Sequence, residues 1–419
     1  MQVAGPAILP TMTRSSLGPA YARLWLASGL SNLADGVFQV ALPLLAVALT
    51  DSPALVAGVA LAQRLPWLVM ALPAGALADR LDRRSTMVRV DVLRVGVMGA
   101  LAVAVAADVA TIPAIYVAAL VLGVGETLFD TASQSILPSV VRREQLSTAN
   151  GRLYSVELVA NQFVGPPLGG LLAAAALSVA FAVSAGAYLL AALALLALAG
   201  SFRPERSGPP RRMRAEIAEG LRFVWSNPVL RTLGLMLGLM SLASTAYWSV
   251  FVLFAVDPGP MGLSEGGYGL LIASSAFGGL VGAWVAPRAE RVLGRTRCLL
   301  AVTVTGAAAL VTPALTSAVP WNVLGGIVFG VGVVVWNVIT VSLRQRITPD
   351  HLLGRMNAAY RLLGWGTMPF GAALGGAVAE GFGLRATFVV AALLQLPVLA
   401  GFLVIKDRSI AAVELPTAG

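Results

Sequence analysis

The chain has 419 residues, 58% of them hydrophobic and only 12% charged, with a mean hydropathy of +0.83. Soluble domains carry about 25% charged residues, so this composition excludes a water-facing globule and points to repeated bilayer crossing. The net charge of +9 is spread over alternate loops between apolar runs, so it is read as membrane topology and nucleic acid is not an expected partner.

The first long apolar run begins near Trp25 and lacks the short core and cleavage site of a secretory signal, so it reads as a permanent span. Pro, Gly and charge punctuate the chain into twelve expected helices, at 23–49, 53–78, 85–107, 112–137, 148–174, 177–200, 228–256, 266–287, 297–316, 320–343, 354–379 and 386–405. Domain bounds follow: a first six-helix unit over 1–200, a linker over 201–226, a second six-helix unit over 227–408 and a tail over 409–419. The cations Arg80, Arg83, Arg84, Arg142, Arg143 and Arg152, then Arg203 to Arg222, Arg288 to Arg297, Arg344, Arg346 and Arg355, fall in one set of loops. The other set holds Asp51, Asp108, Asp257, Glu265 and Glu380, with Arg385 as its cation. The positive-inside bias therefore predicts a multi-pass protein of the cell membrane with both termini cytoplasmic. A single Cys298 and a single His351 exclude a disulfide framework, and no cofactor or metal is expected.

In the first helix Asp35 lies ~18 Å in from Arg23, by a helical rise of ~1.5 Å per residue. In the second, Arg64 lies ~22 Å in from Asp79. In the fourth, "GETLFD" sets Glu126 and Asp130 four apart, on one face, at depths of ~18 Å and ~12 Å. An isolated charge at the bilayer centre costs at least ~2.5 kcal/mol, so such residues face the protein interior or a water-filled cavity. Burial and a neighbouring cation act oppositely on a carboxyl's proton affinity, so Arg64 moving beside Glu126 would load and unload a proton. Asp35 could share that duty. The alternative is a static buried salt bridge that holds helices together.

The fifth helix carries "GPPLGG" at 165–170, and "GAALGG" at 371–376 repeats it after 206 residues. The same shift carries Glu144-Gln145-Leu146 onto Asp350-His351-Leu352. Six helices separate the copies, so the two halves keep one orientation, as parallel repeats around a central site do. The linker opens Pro- and Arg-rich and closes with Ile217, Leu221, Val224 and Trp225 on one helical face. That face suits either a helix on the membrane surface or an ordinary connector. The second half offers Tyr247, Trp248, Trp336, Asn337, Tyr360, Arg361 and Trp365 as one wall of a cavity for a bulky amphipathic ligand. Asn32, Gln39, Gln63, Asn161 and Gln162 could line the other wall.

The loop "GALADRLDRR", with Gly75, Asp79, Arg80, Arg83 and Arg84, resembles the cytoplasmic signature of the major facilitator superfamily, Gly-x-x-x-Asp-Arg-x-Gly-Arg-Arg, with Asp82 in place of the usual Gly. "GPPLGG", with Gly165, Pro166, Gly169 and Gly170, resembles the Gly-Pro-x-x-Gly-Gly signature of that superfamily's antiporters, though Asn161 stands where a small residue is usual. With "ILPSVVRREQLSTANG" at 136–151, the chain is most similar to the branch holding macrolide-efflux and siderophore-export proteins. The resemblance implies an all-α fold of twelve spans in two bundles and a monomer that exchanges protons for a small molecule. It also implies a cytoplasmic gate in which Asp130 is the fourth-helix acid, approached by Arg83 or Arg94. Uptake of a nutrient by symport and a lipid-handling or scaffold role remain open beside export. An enzyme is not expected, because no Gly-Lys-Ser/Thr phosphate loop and no catalytic constellation is present.

Overall fold

The computed structural model describes residues 17–78, 81–200, 202, 213–349 and 352–408. Among these, regular structure is helical, with one isolated bridge between Val256 and Leu263. The first six crossings are α1 (Gly18–Leu49), α2 (Pro53–Ala78), α3 (Arg83–Ala106), α4 (Ile112–Ile136), α5 (Leu146–Leu158) continued by α6 (Gly165–Ala175), and α7 (Leu177–Leu196). After α8 (Met213–Ser226) come α9 (Pro228–Ala255), α10 (Glu265–Leu293), α11 (Arg295–Leu315) and α12 (Val319–Ile347). The last two crossings are α13 (Leu353–Trp365) with α14 (Met368–Phe382), and α15 (Leu384–Leu393) with α16 (Leu396–Ala400). Among the described residues, eleven stretches are long and apolar enough to span a bilayer. The remaining crossing is α3, which carries Arg83, Arg84, Arg89, Asp91 and Arg94 along its first three turns.

Three crossings are interrupted, and in each the break stands just before a proline: α15 gives way to α16 ahead of Pro397. Between α5 and α6 the backbone widens into a π-helical turn over Val159–Val164. Pro166 and Pro167 follow at once, and neither has an N–H to return to the preceding turn. The α13–α14 junction falls in "WGTMP", just before Pro369. The linker helix α8 packs on α13 and α9. Val224 is buried in the second half's core with Leu221 and Phe223 against it, Trp225 stays 51% exposed, and Arg355 pairs with Glu219 at 2.7 Å. The helix is thus a connector docked on the second half. The Ile217 side chain lies outside the described residues.

The glycine repeat divides its contacts alike in both halves. A Cβ on Gly165 would come within 2.5 Å of Gly36 Cα, and one on Gly169 within 2.6 Å of the Val37 carbonyl, both on α1. Their repeats, Gly371 and Gly375, press equally closely on the Leu242 and Ala246 carbonyls of α9. The third glycine of each copy crosses between halves. A Cβ on Gly170 would meet the Glu265 carbonyl at 2.6 Å and Gly269 Cα at 2.9 Å on α10, and one on Gly376 would meet Ala57 Cβ at 2.7 Å on α2. Close backbone approach at small residues is how membrane helices associate without a hydrophobic drive.

These seams lie at the end where the acidic loops emerge. There Glu380 Oε2 accepts from Ser52 Oγ at 2.9 Å and from the Ala54 N–H at 3.2 Å, so an α14 carboxylate caps the first turn of α2. A single core, running from Ala34, Phe38 and Tyr188 to Tyr247, Phe251 and Phe388, joins both halves at that end. Toward the arginine-rich end the core splits in two, one part around Leu24, Phe129 and Leu195, the other around Leu233, Trp336 and Leu343. Toward the arginine-rich loops each half thus keeps its own core, and the halves touch through side chains such as Trp67 and Trp365.

Asp82 is the N-cap of α3. It accepts from the Ser85 N–H at 2.8 Å and from the Phe202 N–H at 2.7 Å, and its φ of −65° needs no glycine. Phe202 is thereby held against the α2–α3 turn. Partial burial alone would raise the Asp82 pKa, but the Ser85 and Phe202 hydrogen bonds and the nearby Arg84 charge outweigh it and bring it below the usual aspartate value. A depressed carboxyl pKa stabilises the fold above the unfolded value near ~3.9 and loses that contribution as pH falls through the folded value. Asp82→Ala is expected to cost about 1 kcal/mol at pH 7, as lost helix caps do. Thermal unfolding in detergent should show the gap from wild type closing below about pH 4.

Candidate functional site: a buried ion cluster behind the cleft

The deepest charges of the first half converge on Arg94. Arg94 Nη1 lies 3.7 Å from Asp35 Oδ2 and 3.6 Å from Asp91 Oδ1, with all three residues at 2% exposure or less. The same nitrogen donates to Ser31 Oγ at 3.0 Å, and Ser31 Oγ donates to Asp91 Oδ1 at 3.2 Å. Tyr188 OH donates to Asp35 Oδ1 at 2.6 Å, a length typical of a hydroxyl bonded to an ionised carboxylate. The guanidinium lies 5.0 Å from the Tyr188 ring and 5.5 Å from the Phe129 ring. Gly125 makes the space, since a Cβ there would stand 2.9 Å from Arg94 Nε. One nitrogen hydrogen-bonds Ser31 and faces both carboxylates at ion-pair distance, while Arg94 Nε, Arg94 Nη2 and Asp91 Oδ2 have no hydrogen-bond partner. A pairing built only for rigidity would be bidentate and satisfied.

Glu126 and Asp130 continue this cluster along α4 toward the cleft. The charged neighbours of Glu126 are Asp35, Arg64 and Arg94, and those of Asp130 are Glu126, Glu157, Asp35 and Arg94. From the second half, Arg361 faces Asp130. Its guanidinium lies 4.2 Å from the Trp365 ring and 5.9 Å from the Trp67 ring, and the two indoles meet edge to face at 4.9 Å across the halves. Trp67 Nε1 turns toward Glu126, and Gln63 Nε2 is buried without a hydrogen-bond partner.

Asp35, Glu126 and Arg64 are thus brought together, as expected, and Arg361, Trp365 and Gln63 stand by the cleft. Other expected residues are placed differently. Arg94 lies about 16 Å beyond the start of α3, eleven residues past Arg83. It pairs with Asp35 and also stands among the charged neighbours of Asp130. Arg84 caps α7, with Nε donating to the Leu195 carbonyl at 2.9 Å and Nη2 to the Leu196 carbonyl at 2.7 Å. Arg83 Nε is buried without a partner. Asp79 and Arg80 lie outside the described residues, as do the contacts of Gly75 and the whole of His351. Pro166 is buried between α1 and α10, its carbonyl 2.7 Å from where a Gly269 Cβ would stand.

Of the expected cavity residues, Gln39 Nε2 donates to Asn161 Oδ1 at 3.0 Å, and the Asn32 amide bonds its own helix at the Ser28 carbonyl. Gln162 and Asn337 are exposed. Trp336 and Tyr360 sit inside the second half's core, where Arg344 stacks 3.9 Å from the Tyr360 ring. Tyr247 stacks on Phe251 at 4.8 Å with Trp248 edge-on at 5.0 Å. That aromatic group lines a small crevice with Asn322 and Phe329, away from the ion cluster. Residues that sequence reading passed over are Asp91, Tyr188, Ser31 and Glu157. The spacing Asp91-Val-Leu-Arg94 held the signal, because an acid three residues before a buried arginine lies on the same helical face.

Two parallel six-helix halves, joined by one core at one end and holding buried charge, define a transporter of the major facilitator type. The transmembrane secretion effector family model matches residues 16–416, and the chain belongs to that family. It is 31% identical over 409 residues to the multidrug efflux pump Tap of Mycolicibacterium fortuitum, covering 93% of this chain and 95% of that one. It is 25% identical over 379 residues to the enterobactin exporter EntS of Escherichia coli O1:K1 / APEC, covering 89% and 88%. Among solved structures, the nucleoside transporter NupG matches with a TM-score of 0.74 at 14% identity, over 91% of this chain and 99% of that one. A bacterial homologue of the iron transporter ferroportin in an inward-facing state matches with a TM-score of 0.68 at 18% identity, over 92% and 98%. The protein is a multi-pass membrane transporter of the efflux type and not an enzyme.

Proposed function

We propose that the chain exports small amphipathic compounds, such as antibiotics, siderophores or other secondary metabolites, in exchange for protons. The observation that carries this reading is the chain of ionisable groups from the enclosed Asp35–Arg94 pair through Glu126 to Asp130, which opens on the cleft opposite Arg361. Charges at that depth are retained for a task, and partners that can exchange give the task a mechanism. The positive-inside bias sets the arginine-rich end in the cytoplasm, together with both termini. The seams at Gly170, Gly376 and Glu380 then close the outer side, and the cleft faces inward to load substrate. Trp67, Trp365 and Arg361 offer flat aromatic and cationic surface to an amphipathic molecule. The names of the relatives Tap and EntS support the same substrate range and direction.

The test is pH-gradient-driven uptake of a panel of antibiotics and dyes into inside-out vesicles. Asp35→Asn and Glu126→Gln are each expected to lower uptake at least about tenfold, the scale on which positioned proton-transfer groups act. Normal coupling in both variants would end the proton role. Indifference of the wild type to collapse of the gradient would favour a protein without proton coupling.

A further inference from the structure

Two carboxylates and one guanidinium share a compartment from which water is excluded. Asp35 is 2% exposed, and Asp91 and Arg94 are fully enclosed. With both acids ionised the group would carry one uncompensated negative charge inside the protein, where an unpaired charge gives up its ionisation. The hydrogen bonds say which acid stays charged. Asp35 faces Arg94 with one oxygen and takes the 2.6 Å bond from Tyr188 on the other. Asp91 faces the same Arg94 nitrogen through Oδ1 at 3.6 Å, but its one hydrogen bond is the longer one from Ser31 Oγ at 3.2 Å, and its Oδ2 has no hydrogen-bond partner. An idle oxygen is tolerable on a neutral carboxyl and costly on a carboxylate.

We propose that Asp91 is the resting place of the coupling proton. The proton sits on Asp91 while Arg94 lies between the two acids and balances the charge of Asp35. When Arg94 turns fully to Asp91, the O–H bond on Asp91 breaks and one forms on Asp35, so Arg94 stays charged and the cluster remains neutral throughout. Release of the proton from Asp35 to Glu126 leaves the group one negative charge, so that step requires water to reach the compartment during the cycle. The groups facing Asp91 and Arg94 are Asp35 from α1, Tyr188 from α7, and Glu126 and Asp130 from α4. This assignment rests on the proton-coupled reading for its use in transport, but the protonation itself can be observed without transport.

The experiment is infrared spectroscopy of the purified full chain at pH 7, with hydrogen–deuterium exchange to mark carboxylic acid carbonyls. The wild-type minus Asp91→Asn difference should contain one protonated-carboxyl band. Asp35→Asn should abolish the same band, because Asp91 then becomes the sole counter-ion of Arg94. Asp91→Asn should fold with a wild-type melting temperature, an amide being the isostere of a neutral acid, and should lose pH-gradient-driven uptake about tenfold. Absence of the band from the first difference would overturn the proposal. So would its persistence in Asp35→Asn, or failure of Asp91→Asn to fold. A band that behaves as expected, with normal coupling in Asp35→Asn and Glu126→Gln, would instead retire the coupling scheme and leave Asp91 a structural acid.

Discussion

Arg94→Met is expected to abolish transport and to cost about 3–5 kcal/mol of stability, the range for breaking a buried ion pair from one side. Methionine keeps an unbranched stem against Phe129 and Tyr188, so little of the loss comes from packing. What is lost is the cation, and Asp35 and Asp91 are left facing each other out of reach of water. Thermal unfolding in detergent measures the deficit. The double variant Arg94→Met with Asp35→Asn should recover most of the stability, because removing both partners of a buried pair is often close to neutral. It should not recover transport, since the exchange of partners has been removed. Recovery of both would mean that the cluster is a brace with no part in coupling, and full stability of the single variant would mean that the charges are not paired.

The cluster also marks how far the sequence could be read. Helix count, repeat and the gathering of arginine at one end were legible because a bilayer imposes ~20 apolar residues per crossing and sorts arginine to one side. Depth was legible too, since a fixed rise per residue placed Asp35, Arg64 and Glu126 near one level. Rotation about each helix axis was not. The loop signature says nothing of which acids Arg94 meets, and its face of α3 turns toward α1, α4 and α7. Tyr188 gave no warning in the nearly unbroken apolar run of α7, yet it completes the hydrogen bonding of Asp35. Trp336 and Tyr360 read as cavity aromatics and proved to be core, because aromatic residues at helical spacing look alike in either place. Asp82, a departure from the loop signature, is explained by a contact 120 residues away at Phe202 that no local pattern contains.

The repeat yields the second large effect. Gly169 and Gly170 are neighbours in the chain but face different partners, Val37 within the first half and Glu265 with Gly269 in the second. Leucine at the two positions should therefore fail in different ways. Gly169→Leu forces α6 off α1 and should reduce the yield of folded protein. Gly170→Leu leaves each half intact and obstructs only their meeting at the acidic-loop end, where the opposing atoms are backbone and cannot swing aside. Overpacking of this kind costs about 1–3 kcal/mol, which moves the ratio of closed to open outer ends by roughly 5- to 150-fold. Gly376→Leu, opposite Ala54 and Ala57, should do the same from the other half. A cysteine placed at Ser52 reports the change through its reactivity toward a membrane-impermeant thiol reagent, with little background because the native Cys298 is 2% exposed. Labelling should rise in Gly170→Leu and Gly376→Leu while transport falls at least about tenfold, because an exporter biased toward one end cannot reload at the other. Unchanged labelling with lost transport would mean that these glycines act on packing and not on the balance between open and closed ends.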